Sequence, residues 1–229
     1  HIGKNGFIYS TDAVNANTSR FWSGGVMVFS KYPIITKKDY QYKEAASSDT
    51  KAAKGIQYVK IMKGQKPYHI FATHTNASYT FGGKTRLPLT DVGRIVRRKQ
   101  FQELKQFIDQ QNIPDNEPVI IVGDLNLDMI SEQGKKDDEY SDMINKLNAT
   151  HLVPLGHRYT LDKTTNELVE PDDGPPQQLD YVLYSRDHQK PTTASAEIIC
   201  LKANNKNICQ KGTAKDLSDH YPIRARFSF

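Results

Sequence analysis

Hydrophobic and polar positions along the chain alternate mostly at the period of strands, with one long stretch at the period of a helix. Val26-Met27-Val28-Phe29 follows Gly24-Gly25 and stops at Tyr32-Pro33, which predicts a short apolar strand. Tyr58-Val59-Lys60-Ile61 alternates, and Tyr68 to Thr73 follows the turn signal Lys63-Gly64, so the two segments are predicted to pair as a hairpin. A helix is expected from a cap at Asp91 to Gln111, stopped by Pro114. Its buried stripe reads Val92, Ile95 and Val96, then Leu104, Phe107 and Ile108, with a phase shift near Arg97-Arg98. Val119-Ile120-Ile121-Val122 is apolar throughout, as in a strand covered on both faces. Ser141 to Leu147 predicts a shorter helix, and Leu179 to Tyr184 and Ile223 to Phe229 predict the last core strands. The sum is an α/β layered domain in which strands dominate. Segments 44–54, 77–89 and 163–178 read as long loops, either functional or mobile.

Composition narrows the class. The 229 residues allow one sizeable domain, residues 1–229, with its own core. Apolar residues at 37% and charged residues at 25% argue against wholesale disorder, and no apolar run approaches the about 18 residues of a membrane-spanning helix. A net charge of +5 fits a phosphate-bearing partner or an anionic surface without choosing between them. The chain begins with His1 and shows no charged leader followed by an apolar run. Cys200 and Cys209 lack the CxxC spacing of a zinc or redox motif. They read either as two unrelated thiols or as a disulfide closing a short hairpin, which requires an oxidising compartment.

Candidate chemistry lies where strands stop. Asp124 and Asn126 in Val122-Gly123-Asp124-Leu125-Asn126 fall on one face by alternation. They read either as a capped turn or as a carboxylate for a hard cation beside an amide for a phosphate oxygen or water. His74 ends the apolar run Phe71-Ala72-Thr73, and His220 lies beside Asp219 before the last strand. Each alone fits a structural histidine. Asp180 sits inside the otherwise apolar Leu179-Asp180-Tyr181-Val182 and needs a partner if buried, for which a histidine is suited.

Taken together and in order, SGGVMVFSKYPI, ATHTN, VGDLN, QLDYVLYS and SDHYPI resemble the endonuclease/exonuclease/phosphatase superfamily, and within it the secreted bacterial sphingomyelinase C group. The resemblance spans essentially the whole chain and extends beyond the motifs, through Gly24–Ile34, Gln100–Asn126 and Leu179–Pro191. It implies a four-layer α/β sandwich, two central mixed sheets flanked by helices. It also implies attack of water on the phosphorus of sphingomyelin, releasing ceramide and phosphocholine. His220 would be the general base and Asp180 its orienting carboxylate. His74 would act on the leaving-group side or hold a phosphoryl oxygen. Asp124 and Asn126 would bind phosphate, water or metal, and Asp219 would complete the metal or histidine environment. Asp162 and Asp49 match acidic positions of the family less securely. The implied cofactor is Mg²⁺, or Mn²⁺ or Co²⁺. The implied setting is a secreted, monomeric enzyme acting on choline phospholipid of the outer membrane leaflet, with no nucleic-acid partner.

Three departures from the family pattern bear on activity. The family's main metal-binding glutamate lies upstream of the GGV segment, so the chain is expected to lack the first strand and helix of the sandwich. An acidic residue that orients the first histidine is replaced by Ser23, which leaves imidazolium at His74 less stabilised. The stretch Ile198 to Cys209, where haemolytic relatives carry a membrane-inserting hairpin, has no aromatic tip. A Cys200–Cys209 disulfide would staple that hairpin. The alternatives are therefore a membrane-binding toxin with weakened turnover, or a nuclease or phosphoinositide phosphatase on the same scaffold. For the nuclease, the cluster Arg94, Arg97, Arg98 and Lys99 is expected to be a solvated helix face rather than a groove.

Overall fold

In a computed structural model, the described residues are 2–15, 20–78, 92–132, 135, 138–171, 174–203 and 215–229. The main sheet has six strands. They are β3 (Ile34–Gln41), β4 (Gly55–Lys63), β5 (Lys66–His74), β6 (Val119–Asp124), β7 (Ala149–His151) and β9 (Asp180–Ser185), in the order β3-β4-β5-β6-β9-β7. The predicted hairpin is present: β4 and β5 pair antiparallel around Gly64, whose φ of 63° suits the turn. β5 and β6 are parallel, with α1 (Val92–Asp109) lying between them in the chain, and β9 returns antiparallel to β6. A second sheet joins β11 (Ile223–Ser228), β10 (Thr193–Ile198) and β8 (Leu155–Gly156), and a two-stranded ladder pairs β1 (Tyr9–Ser10) with β2 (Phe29–Ser30). Mixed sheets with helices agree with the expected α/β sandwich.

Period-2 alternation divides the main sheet into two chemically different faces. Ile56, Tyr58, Phe71, Ile121, Tyr181 and Leu183 point to one side, where they pack with Phe101, Leu104 and Phe107 of α1 and with Met143 and Leu147 of α3 (Glu139–Leu147), the helix after the single turn α2 (Met129–Glu132). Asp138 caps α3 by accepting from the Tyr140 and Ser141 amides. Ala72, Val122 and Val182 point to the other side, where the polar strand ends gather.

Several expectations need correction. The buried face of α1 does not run through Val92 and Ile95, which are exposed. It runs through Val96, Arg97, Gln100, Phe101, Leu104, Phe107 and Ile108 at unbroken helical spacing, so the phase shift disappears once partnered polar residues count as core. The basic cluster is a solvated face only in part, at exposed Lys99. Arg97 is 2% exposed, paired with Glu139, while Arg94 pairs with Glu132 and Lys99 with Glu44. The charge of Arg94 and Arg97 goes into holding α1 to its neighbours. The cap at Asp91 lies outside the described residues. Of Val26 to Phe29, Phe29 alone enters a ladder. β11 alternates half-buried and exposed positions at the edge of its sheet, so it is no core strand.

The loops differ too. Segment 44–54 holds a 3₁₀ turn, Ser47–Lys51, with Asp49 and Lys54 buried. Segment 163–178 buries Asn166, Val169, Gln177 and Gln178 where described. Segment 77–89 lies outside the described residues from position 79 onward.

Candidate active site

The register of three adjacent strands builds the site. His74 at the end of β5 faces Asp124 at the end of β6, and Asp124 faces Asp180 at the start of β9. Alternation sends all three to the face opposite the α1 core. Gly123 makes this spacing possible. Its φ is 138°, and a Cβ there would lie 1.9 Å from the Thr73 carbonyl oxygen of the neighbouring strand. His220 arrives from the bend before β11 and donates from Nδ1 to Asp180 Oδ2 at 2.7 Å. His74 Nε2 lies 3.5 Å from Asp124 Oδ2. These four residues line a pocket of about 690 Å³ together with Gly25, Met27, Leu201 and Leu217.

Each of these groups has a distinct electrostatic environment. Burial lowers the His74 pKa to about 4, helped by the Lys54 ammonium, so this imidazole is neutral at physiological pH. Burial and the Asp180 charge push Asp124 up to about 7. At His220 burial acts downward, but the Asp180 hydrogen bond and the charges of Asp180, Asp124 and Asp219 outweigh it and raise the pKa to about 9. One face thus holds a neutral imidazole and a cationic one, separated by two carboxylates.

The remaining sequence candidates lie around this centre. Asn126 does not share the face of Asp124, because β6 ends at Asp124 and Asn126 turns into the left-handed region with φ 47°. Its amide N–H donates to Asp124 Oδ1 at 2.8 Å and its Nδ2 to the Thr75 carbonyl at 3.0 Å, so it joins the ends of β5 and β6. Asp219 is exposed beside His220, accepts from the Ser218 hydroxyl, and acts on His220 through its charge. Asp162 is buried and does not line the pocket. Its carboxylate accepts from Thr164 and Thr165 and lies 3.1 Å from His157 Nε2. Asp49 pairs with Lys54 at 2.9 Å and accepts from the Ala77 amide at 2.7 Å. Ser23 is half-buried one residue before Gly24 and does not line the pocket, whereas a Cβ on Gly25 would come 4.0 Å from His74 Nδ1. Cys200 is an exposed free thiol, and Cys209 lies outside the described residues.

Sequence reasoning missed Lys54 and Thr160. Lys54 Nζ is buried between Asp49 and the Thr75 carbonyl, and its charge reaches both His74 and Asp124. A lysine within Ala52-Ala53-Lys54-Gly55, directly before a strand, is the signal that could have exposed it. Thr160, fully buried, accepts from the Leu179 and Asp180 amides, a role without a local sequence signature.

The donor chemistry favours a hard cation. Asp124 and Asp180 bring two carboxylates together, and Asp124, raised by burial and then by the Asp180 charge, is a carboxylate whose ionised form a cation would favour. Among the described residues no group of three or more His, Cys, Asp or Glu side chains that could hold a metal ion is present. A cation here would therefore draw on water and substrate oxygens as well, as Mg²⁺ commonly does.

The chain is 35% identical over 219 residues to a sphingomyelinase C of Bacillus cereus, covering 93% of this chain and 64% of that protein. It thus spans about three-fifths of the length of the curated relatives it matches. Beta toxin from Staphylococcus aureus superposes with a TM-score of 0.81 at 29% identity, covering 97% of this chain and 79% of the other. A double mutant of that toxin with bound magnesium ions gives 0.79 at 29% identity, covering 99% and 79%. The model of the Endonuclease/Exonuclease/phosphatase family matches residues 3–220. By that match, the chain belongs to the endonuclease/exonuclease/phosphatase family.

Proposed function

We propose that this chain carries the catalytic centre of a secreted, divalent-metal-dependent phosphodiesterase that hydrolyses sphingomyelin to ceramide and phosphocholine. The observation that carries the reading is the row His74–Asp124–Asp180 across three strands, closed by the 2.7 Å bond from His220 to Asp180. Similarity to a sphingomyelinase C over 93% of the chain supports the substrate class.

In this reading Asp180 fixes the His220 tautomer by accepting from Nδ1, which leaves Nε2 to take the proton of the attacking water. Neutral His74 hydrogen-bonds a phosphoryl or leaving-group oxygen, and burial, helped by Lys54, keeps it neutral. Asp124 is the carboxylate for the cation, with Asp219 nearby, and Asn126 ties the end of β6, which carries Asp124, to the end of β5. When bound, Mg²⁺, or Mn²⁺ or Co²⁺, supplies positive charge beside the phosphoryl oxygens and offsets the carboxylate charge that holds His220 near 9. The exposed apolar side chains of Met27, Leu201 and Leu217 at the pocket suit a lipid substrate rather than a nucleic acid. Among the described residues no helix is long and apolar enough to cross a membrane. In this reading the enzyme works as a monomer on choline phospholipid of the outer leaflet.

The test incubates the protein, at the full length its gene encodes, with sphingomyelin vesicles and Mg²⁺ and follows phosphocholine by ³¹P NMR. Release that stops with EDTA and with His220→Ala is expected. A folded protein that binds the vesicles without releasing phosphocholine would overturn this reading in favour of a toxin that has lost turnover.

A further inference from the structure

The two halves of the His220–Asp180 pair are held unequally by the fold. Asp180 belongs to β9 and is in register with Asp124 of β6. His220 does not belong to a strand. It follows the three-residue bend 217–219, and its backbone meets the rest of the protein through an isolated bridge to Leu161. Something other than a sheet must place it.

Segment 160–166 makes the required contacts. Thr160 Oγ1 accepts from the Leu179 amide at 2.9 Å and the Asp180 amide at 3.2 Å, and its carbonyl accepts from the Tyr221 amide at 2.7 Å. One residue thus touches the backbone on both sides of the pair. Asn166, 2% exposed, donates from Nδ2 to the Ser218 carbonyl at 2.9 Å and the Asp219 carbonyl at 3.1 Å. Its Oδ1 accepts from the Leu168 amide at 2.9 Å, which sets the amide orientation. Asp162 stiffens the span between them. Its carbonyl accepts from the Asn166 amide, and its carboxylate accepts from Thr164 and Thr165.

We propose that segment 160–166 is a clamp that positions His220 against Asp180, and that Asn166 is its positioning residue, gripping the two carbonyls before His220. The proposal rests on the phosphodiesterase reading for its effect on rate, but not for its effect on geometry. Asn166 touches no reacting group. It acts through the bend, and a displacement of about 1 Å in a catalytic base can cost on the order of 10²-fold in rate.

The experiment compares wild type with Asn166→Ala and the milder Asn166→Ser, at the full length the gene encodes. Two quantities are read: sphingomyelin hydrolysis with Mg²⁺, and the downfield ¹H resonance of the His220 Nδ1 proton. The resonance is assigned by its loss in His220→Ala. For Asn166→Ala the expected result is a fall in kcat of about 10- to 100-fold with KM within about twofold, and loss or broadening of the resonance while the amide spectrum stays folded. Asn166→Ser, which keeps a shorter donor, should lie between the two. An unchanged kcat with an unchanged resonance overturns the proposal. So does failure of both variants to fold, because Asn166 would then be structural only. If wild type hydrolyses nothing, the function reading fails, and the resonance still decides whether the clamp exists.

Discussion

Arg97→Met tests an ion pair buried on both sides. The guanidinium donates from Nε to Glu139 Oε1 at 2.9 Å and from Nη2 to Oε2 at 2.8 Å, with both side chains 2% exposed. Its Nη1 reaches the Asn76 carbonyl at 3.2 Å and the Ser78 hydroxyl at 2.6 Å, so the same residue also holds the chain just beyond His74. Removing one member of such a pair costs about 3–5 kcal/mol, because the other charge stays buried without its partner. Burial already raises the Glu139 pKa despite Arg97, so in the variant this carboxyl takes up a proton, and the loss should fall toward the lower figure, about 3 kcal/mol. Against a total stability of about 5–15 kcal/mol this is large. In urea unfolding followed by far-UV circular dichroism, with a slope of about 2–3 kcal/mol/M, the midpoint should drop by about 1–1.5 M at constant slope. The double variant Arg97→Met/Glu139→Leu should recover most of the loss, since it removes the stranded carboxylate. A single-variant loss under about 1 kcal/mol, or a double variant as unstable as the sum of both singles, would refute the reasoning.

Asp180→Asn keeps the shape of the side chain but removes the acceptor that sets the His220 tautomer. Steady-state sphingomyelin hydrolysis should show kcat down by about 10³- to 10⁴-fold with little change in KM, and a loss under tenfold would count against the pair. Gly123→Ala drives a Cβ into the Thr73 carbonyl at a φ that L-residues rarely adopt, and should cost at least about 2 kcal/mol in thermal melts, a loss that a clean melt at the wild-type temperature would disprove. His151, hydrogen-bonded to the Tyr140 hydroxyl, has its pKa lowered by burial to about 4 from an unfolded value near 6.5. The unfolded chain therefore binds more protons in this window, and stability falls as pH drops from about 6.5 to 4, by about 3 kcal/mol at most from this group. His151→Gln should flatten that part of a denaturation-versus-pH curve, and an unaltered slope would be the contrary result.

The sequence made the strand-end chemistry legible because strands alternate at period 2 and the motifs sit at their ends. His74, Asp124 and Asp180 stood out before any coordinates as polar residues ending or interrupting apolar strands, while the register that sets them on one face is a tertiary fact; the β4–β5 hairpin followed from Lys63-Gly64. Legibility failed where partnership rather than polarity decides burial. Arg97 and Gln100 look like surface residues by type, yet both are buried, with Gln100 Oε1 accepting from the Asn76 amide and Arg97 closed onto Glu139. Lys54 was hidden for the same reason, because its partner Asp49 and its effect on His74 are tertiary facts. Asn126 was misread because alternation was carried two residues past the end of the strand. The placement of His220 depends on Thr160 and Asn166, some 60 and 54 positions upstream, and no local pattern announces such contacts.

The central claim is that water, activated beside the Asp180–His220 pair, attacks phosphorus. A single turnover of sphingomyelin in H₂¹⁸O, with the products analysed by mass spectrometry, tests it most directly. The account predicts one ¹⁸O in the phosphate of phosphocholine and none in ceramide. Label in the ceramide hydroxyl, which requires C–O cleavage, or unlabelled phosphocholine from that first turnover would contradict it.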